Sequence, residues 1–492
     1  MPVALIDLFA GPGGLNEGFS HVRDRENATV FNTVLSVEMN EVAHRTLELR
    51  ALYRKIRGER EVDTYIDFIT GVIDRSELYE RLDSAGKEAK FEAFCGELGK
   101  VSHNKEVDRR LKTALGPGCG NDCVIIGGPP CQAYSLAGRA RRSGETREEF
   151  ESDPRHRLYL QYLRVVNKFR PAVFVMENVA GLQSAQFQGK STLVQICRSL
   201  RRAGYQLHGL GPENPKSAMS DNGRDFLVHS EFYGIPQRRK RLFIVGVRND
   251  IKTSPDPLVP DYENLVTVGD VIGGLPKIRS RVTRRLDSST EWAACVRQIR
   301  SYSFKGLPED FIVSLKETAD QISDEIDPGG MYLDPGKPPS KLSEWFLDPC
   351  IKMVLNHNSR GHMKEDLHRY FFWAKYSQYF GSSPLLHHAP KRLLPNHQNV
   401  NEGKFADRFR VQVASRPSST ITSHMQRDGH AYIHHDPLQC RSWSVREAAR
   451  AQTFPDNYFF DGPATQQYGQ VGNAVPPLLA KQIGEIVAKM LS

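Results

Sequence analysis

Apolar positions near the start of the chain fall in short blocks separated by turn residues. "VALIDLF" (3–9) is followed by "AGPGG" (10–14) and then by "LNEGFSHV" (15–22), which has helical spacing. "FNTVLSVEM" (31–39) and the helical stretch "NEVAHRTLELRALYRKI" (40–56) repeat the alternation. This order predicts an α/β fold with a doubly wound, mostly parallel sheet. Three further runs, "DCVIIGG" (122–128), "PAVFVMENV" (171–179) and "RLFIVGV" (241–247), are too short for helices, rich in Val and Ile, and bounded by turn residues. They predict buried parallel strands. Residues 55–115 are charge-rich with helical spacing and read as a helical insertion within a first domain of residues 1–250. Proline, histidine and polar residues dominate from 255 to about 430 without a clear period, which predicts a second, smaller, irregular domain. At its centre lies the aromatic and basic passage "HRYFFWAKYSQYF" (368–380). Periodicity returns in "SVREAARAQTFPD" (444–456) and "AVPPLLAKQIGEIVAKML" (474–491), so residues 431–492 are expected to rejoin the first domain.

Composition changes this picture little. At 39% hydrophobic and 25% charged residues the chain reads as an ordinary soluble globular protein. No run approaches the ~18 apolar residues of a membrane span. The first residues lack a secretory pattern and structure is expected from residue 3, leaving no room for a preceding domain; a cytoplasmic location follows as the expectation. The eight cysteines form no CxxC pair, so neither a disulfide framework nor a zinc site at Cys119, Cys123 and Cys131 is expected, and no metal is assigned. The net charge of +8 is mild. The clusters "RARR" (139–142), "QRRKR" (237–241) and "RVTRR" (281–285) point instead to a polyanionic partner.

The chemistry-bearing residues sit at the ends of the apolar runs. In "DLFAGPGG" (7–14) glycines permit a tight turn and close approach of a ligand to backbone N–H groups, a device shared by NAD, FAD, nucleotide and S-adenosylmethionine sites. Glu38 closes the second run, where an acid commonly accepts hydrogen bonds from ribose hydroxyls. The pattern GxxxxGK[ST] is missing, which argues against a nucleoside triphosphatase. Cys131 follows "GGPP" at a strand end, and on that stretch alone it is either a packed thiol or a nucleophile. "ENV" (177–179) ends another apolar run in an acid, a group that in a dry setting suits proton or hydrogen-bond donation. The arginines of "QRRKR" add planar donors for a carbonyl or phosphate.

Taken in order, "DLFAGPGG", "GGPPCQ", "ENV", "QRRKR", "RPSSTITS" (416–423), "SVREAARAQTFPD" and "QYGQVGNAVPP" (467–477) closely resemble the blocks of the DNA (cytosine-5-)methyltransferase family over residues 3–250 and about 410–490. The resemblance implies methyl transfer from S-adenosylmethionine to carbon-5 of a cytosine flipped out of duplex DNA, in a protein serving a bacterial restriction–modification system. It implies that Cys131 attacks carbon-6, that Glu177 donates to N3, and that Arg239 and Arg241 contact the base carbonyl, the acid or nearby backbone. Pro130, Gln132, Asn178 and Gln237 would support the pocket. Phe9, Gly11, Gly13, Gly14, Glu38, Asn473 and Ala474 would hold the cofactor. Glu97 takes the place of the aspartate that many relatives use toward the adenine amino group. On this reading 1–250 is the catalytic and cofactor-binding domain and 255–430 the target-recognition region. The protein would be a monomer associated with the nucleoid through DNA, with a restriction endonuclease as functional partner. A tRNA cytosine-5 methyltransferase is the alternative, disfavoured by the long variable region and the missing "CFT".

Overall fold

Five of the predicted apolar runs become strands of one eight-stranded sheet in the computed structural model, which describes residues 2–116, 123–130, 158–187, 189–211, 224–284, 286–332, 335–396 and 407–492. The strands are β1 (Val3–Leu8), β2 (Phe31–Glu38), β3 (Ala93–Cys95), β4 (Cys123–Gly127), β5 (Val173–Val179), β6 (Tyr205–His208), β7 (Leu227–His229) and β8 (Lys240–Arg248). Their spatial order is β3-β2-β1-β4-β5-β8-β6, with β7 also paired to β8. From β3 through β5 every pairing is parallel. Strand β8 runs antiparallel to β5, β6 and β7, so "RLFIVGV" is not the parallel strand expected from sequence. The reason is its connection: β7 feeds β8 through a short reversal, with Leu227 opposite Leu242, rather than through a helical crossover.

Alternation along the strands divides two cores. On one face Ile6, Leu8, Ile125 and Phe174 pack with Val107 and Leu111 of α6 (Val101–Leu115), Tyr162 and Val166 of α7 (Leu158–Phe169), and Ile196 and Leu200 of α8 (Thr192–Arg202). On the other, Leu5, Val124, Ile126 and Val175 pack with Leu15 and Phe19 of α1 (Gly14–Ser20) and with Leu479, Ile483 and Val487 of α13 (Pro477–Leu491). Each such side chain contributes about 1.5–3 kcal/mol by leaving water. Helix α1 lies tight against α13: a Cβ on Gly18 would stand 2.3 Å from the Pro477 carbonyl oxygen and 2.5 Å from the Ala480 Cβ.

Part of the stretch read as an insertion belongs to the sheet. Ala93–Cys95 is the edge strand β3 and α6 covers the sheet face, whereas α3 (Val62–Ile69), α4 (Arg75–Arg81) and α5 (Asp83–Glu92) are additional to it. A three-residue strand carries too little pattern to stand out from its helical surroundings.

By its internal contacts the chain forms two units, Met1–Asn264 with Asn473–Ser492, and Leu265–Gly472. The rejoining segment therefore starts at 473 rather than 431, because residues 431–472 pack within the second unit. That unit is built on α9 (Ser289–Arg297), α10 (Glu309–Asp320) and α11 (Lys364–Phe380), whose core includes Trp292, Phe311, Leu315, Phe371, Phe372 and Trp373. The irregular "HRYFFWAKYSQYF" is thus helical, and residues 366–375 are buried without a break. A helix covered on every side loses its polar face, and with it the 3.6-residue signal. Its charges are satisfied internally: Arg369 donates to Asp366 and to the Leu393 carbonyl, and His368 bridges the Tyr302 hydroxyl and the Cys295 carbonyl. Further along, α12 (Val445–Ala451) opens with a capping box between Ser444 and Glu447.

Candidate functional site

The carboxyl ends of β1, β2, β4 and β5 lie side by side, and those predicted site residues of the first unit that are described gather there. After β1 the chain turns through Phe9 (φ 58°), Gly11 (φ 57°) and Gly13 (φ 94°), left-handed conformations that glycine adopts freely and phenylalanine does not. Glu38 staples this loop: the Gly11 N–H donates to its Oε2 at 2.8 Å and the Asn40 N–H to its Oε1 at 2.7 Å. Burial raises the Glu38 pKa from the ordinary carboxylate value, against the lowering effect of these backbone donors. Each carboxylate oxygen keeps a further lone pair for an outside donor.

Gly14 is pressed against the segment before α13. A Cβ there would lie 2.3 Å from the Val475 carbonyl oxygen and 3.2 Å from the Ala474 Cβ. Ala474 is buried and its carbonyl accepts a 2.8 Å hydrogen bond from the Arg239 guanidinium, while Asn473 is exposed beside it. Arg239 thus ties the segment before α13 to the start of β8, and its own carbonyl is held by the Ser230 amide and hydroxyl.

The acid and the second arginine meet across β5 and β8. Glu177 and Arg241 face one another with Arg241 Nε 2.9 Å from Glu177 Oε1. Burial lowers the Arg241 pKa from the usual guanidinium value and Glu177 opposes that shift. Gly128 lets the carboxylate come close, since a Cβ on it would stand 2.8 Å from Glu177 Oε2. Asn178 donates to the Pro129 carbonyl at 3.1 Å and so fixes the approach to Pro130. In "QRRKR" Gln237 and Arg239 are buried and Arg241 nearly so, whereas Arg238 and Lys240 are exposed. The cluster is thus not a uniform polyanion-binding face: strand alternation sends every second side chain inward. Cys131, Gln132 and "RARR" lie outside the described residues.

Glu97 follows β3 at the same sheet edge, where Gly96 donates to the Glu38 carbonyl. Its amide donates to His103 Nδ1 at 2.9 Å and its carboxylate pairs with Lys100 at 2.7 Å. The sequence reading missed Asp7. This residue is fully buried at the end of β1, and neither carboxyl oxygen has a hydrogen-bond partner among the described residues. Its signal was present: a carboxylate inside the otherwise apolar "VALIDL". Among the described residues no cluster of His, Cys, Asp and Glu is suited to a metal ion, and no helix is long and apolar enough to cross a membrane.

The chain is 29% identical over 521 aligned residues to the type II methyltransferase M.Bpa9945I of Bacillus paralicheniformis, covering 99% of each. It is 25% identical to the type II methyltransferase M.AgeI of Thalassovita gelatinovora, again over 99% of each. Among solved structures, a prophage-encoded protein of E. coli shares the fold, with TM-score 0.50, 19% identity and 99% coverage of both chains. The profile of C-5 cytosine-specific DNA methylases matches residues 121–489, from the strand before Cys131 into the last turn of α13, and the chain belongs to that family of DNA-methylating enzymes.

Proposed function

We propose that this DNA cytosine-5 methyltransferase uses S-adenosylmethionine as methyl donor and works through a covalent Cys131 adduct on a cytosine flipped out of the duplex. The observation that carries the reading is the Glu177–Arg241 pair set at neighbouring strand ends next to the loop stapled by Glu38. The residues present fit the cofactor: Glu38 offers acceptors for ribose hydroxyls and the glycine turn allows close approach to backbone N–H groups. When bound, S-adenosylmethionine supplies an electrophilic methyl group. Phe9, Gly11, Gly13, Gly14, Glu38, Asn473 and Ala474 form its cradle in this reading, with Glu97 toward the adenine.

The protein's part is to make carbon-5 of the base nucleophilic. The Cys131 thiolate forms a bond to carbon-6 as the carbon-5–carbon-6 double bond opens, and donation from Glu177 to N3 neutralises the displaced charge, leaving an enamine that is nucleophilic at carbon-5. Arg241 fixes the Glu177 carboxyl by its planar Nε contact, which limits the acid to one orientation. After methyl transfer a base removes the carbon-5 proton, the carbon–sulfur bond breaks, and the thiolate of Cys131 is regenerated. Extrusion of the target base is required because the ring is inaccessible inside a duplex. Pro130, Gln132, Asn178 and Gln237 shape the pocket, and the second unit reads the flanking sequence. The named relatives are type II methyltransferases, which favours a role in protecting DNA beside a restriction endonuclease.

Purified protein with labelled S-adenosylmethionine and mixed-sequence duplex DNA should produce labelled 5-methylcytosine. A duplex carrying 5-fluorocytosine at the methylated position should trap a covalent complex, absent in Cys131→Ser. Label in tRNA but not in DNA, or a trapped complex in the folded Cys131→Ser variant, would overturn the reading.

A further inference from the structure

Helix α1 buries every residue from Gly14 to Phe19, and its first turn carries two polar side chains that apolar packing does not call for. Leu15 and Phe19 already have their partners in α13, but such contacts are non-directional and leave the rotation of a helix loosely set. Asn16 and Glu17, both fully buried, supply direction. The Asn16 amide donates to the Ser36 hydroxyl at 3.0 Å, and its carbonyl oxygen accepts from the Thr33 hydroxyl at 2.7 Å, both on β2. Glu17 takes the guanidinium of Arg50, on α2 (Glu41–Ile56), in a two-bonded fork with Arg50 Nε 2.7 Å from Oε2. Arg50 is itself buried. Burial would raise the Glu17 pKa, but Arg50, assisted by His21 and Arg54, outweighs it and brings the acid down to about 2, so the pair is ionised. Replacing a buried ion pair by apolar side chains of similar volume is often neutral or stabilising, so what the fork supplies is fixed geometry.

These bonds converge on the cofactor loop. At its entry the loop is tied to the end of β2, through the Ala10 N–H to the Val37 carbonyl at 3.0 Å and the Gly11 N–H to Glu38. At its exit the Glu17 N–H donates to the Gly13 carbonyl at 2.8 Å, and the Asn16 and Glu17 side chains reach β2 and α2. Helix α2 is in turn joined to Glu38, because its cap Asn40 donates its N–H to the Glu38 carboxylate. The glycine turn and the Glu38 carboxylate are thus braced from the same strand and the same helix. We propose that Glu17 and Arg50, with Asn16, are positioning residues that set the spacing between the Gly13–Gly14 turn and Glu38, and so match the cradle to the length of S-adenosylmethionine. This rests on the cofactor assignment made above. The three act through Gly13, Gly14 and Glu38, with Glu38 holding the ribose and the glycine turn serving the rest of the molecule.

Spacing is separable from stability by comparing a ligand that spans both ends with one that reaches only Glu38. S-adenosylhomocysteine spans the cradle, whereas adenosine has the ribose and lacks the amino-acid half. Calorimetric titration of the whole chain gives the first affinity, and ligand-observed NMR the second. The double variant Glu17→Leu/Arg50→Met removes both charges and keeps the volume filled, so its melting temperature should hold or rise. Its affinity for S-adenosylhomocysteine should fall on the order of tenfold, while that for adenosine changes by less than about twofold. Arg50→Lys keeps the charge and loses the fork, so it should still bind S-adenosylhomocysteine about threefold or more weakly, a test that holds even where the double variant does not fold. S-adenosylhomocysteine affinity unchanged in either variant, or lost in step with that for adenosine, would overturn the positioning role and leave the cofactor assignment standing. An unaltered chain that binds neither S-adenosylmethionine nor S-adenosylhomocysteine would overturn the two together.

Discussion

Acidification to about pH 5 should selectively weaken the unit Leu265–Gly472, because that unit buries histidines in their neutral form. His357 is fully buried between the Ser444 hydroxyl (2.8 Å from Nδ1) and the Pro276 carbonyl (2.9 Å from Nε2). Desolvation lowers its pKa to about 4, with Glu447 opposing and Arg441 and Arg450 assisting. His435, stacked on His434 with ring centroids 4.4 Å apart, is lowered to about 3, chiefly by burial and then by His434, with Arg441 assisting and Glu447 and Asp436 opposing. Both folded values lie below the ~6.5 of an unfolded histidine. Their contribution is therefore intact above pH ~6.5 and is lost as pH falls toward the folded values. At pH ~5 the unfolded chain gains about 2 kcal/mol per histidine by protonation and the folded one almost nothing, so the two together remove about 4 kcal/mol. Carboxylates, with unfolded values near ~4, have barely begun to titrate there. All four tryptophans, Trp292, Trp345, Trp373 and Trp443, belong to this unit, and three of them are fully buried, so intrinsic fluorescence reports on it alone. With a urea slope of about 2–3 kcal/mol/M, the fluorescence midpoint should drop by about 1.3–2 M between pH ~7.5 and pH ~5. His357→Gln, which keeps a neutral donor and acceptor, should recover about half of that drop. A midpoint that moves by less than about 0.3 M would refute the reasoning.

Other perturbations separate the parts of the site. Gly128→Ala places a Cβ 2.8 Å from Glu177 Oε2, so single-turnover methylation should slow by tenfold or more. Cofactor affinity measured by calorimetry should hold in the same variant, and a matching loss of both would place the defect elsewhere. Arg239→Ala strands the buried Ala474 carbonyl at a cost of about 1–3 kcal/mol, which should appear as cofactor binding weaker by about tenfold, with an unchanged rate once cofactor is saturating. Gly18→Ala forces α1 away from Pro477 and Ala480 and should cost about 1–3 kcal/mol, read as a lower melting temperature of the first unit; an unchanged melt would mean that the two helices separate freely.

Five of the eight strands were legible because each is an apolar run closed by turn residues and because motifs fall where those strands end, whereas β3, β6 and β7 are too short to carry a pattern. Direction was not legible in "RLFIVGV", since alternation is the same for parallel and antiparallel neighbours and only the connection decides. Helix α11 hid for the opposite reason, complete burial having erased its polar face. Within "QRRKR" the period of two was present in the letters, yet a count of positive charge obscured that Gln237, Arg239 and Arg241 point one way and Arg238 and Lys240 the other. Arg446 shows the same limit: it is basic in sequence, yet it is buried and donates to the Leu355, Pro455 and Tyr458 carbonyls. Asp7 stood inside a motif quoted for its glycines, and only its burial with no hydrogen-bond partner among the described residues set it apart.

The contact of α1 with α13 has a consequence for synthesis. A ribosome makes the Gly11–Gly14 loop first, and Ala474, Val475 and the apolar face of α13 that cover it emerge only after the whole intervening unit. Until then Leu15 and Phe19 lack Leu479, Ile483 and Val487 to pack against. The unit translated second is complete before the unit translated first, so its folding precedes closure of the sheet domain. A nascent chain stopped short of residue 474 carries the unit Leu265–Gly472 together with a sheet whose face toward α13 is still uncovered, and exposed apolar surface of that kind invites chaperones and proteases.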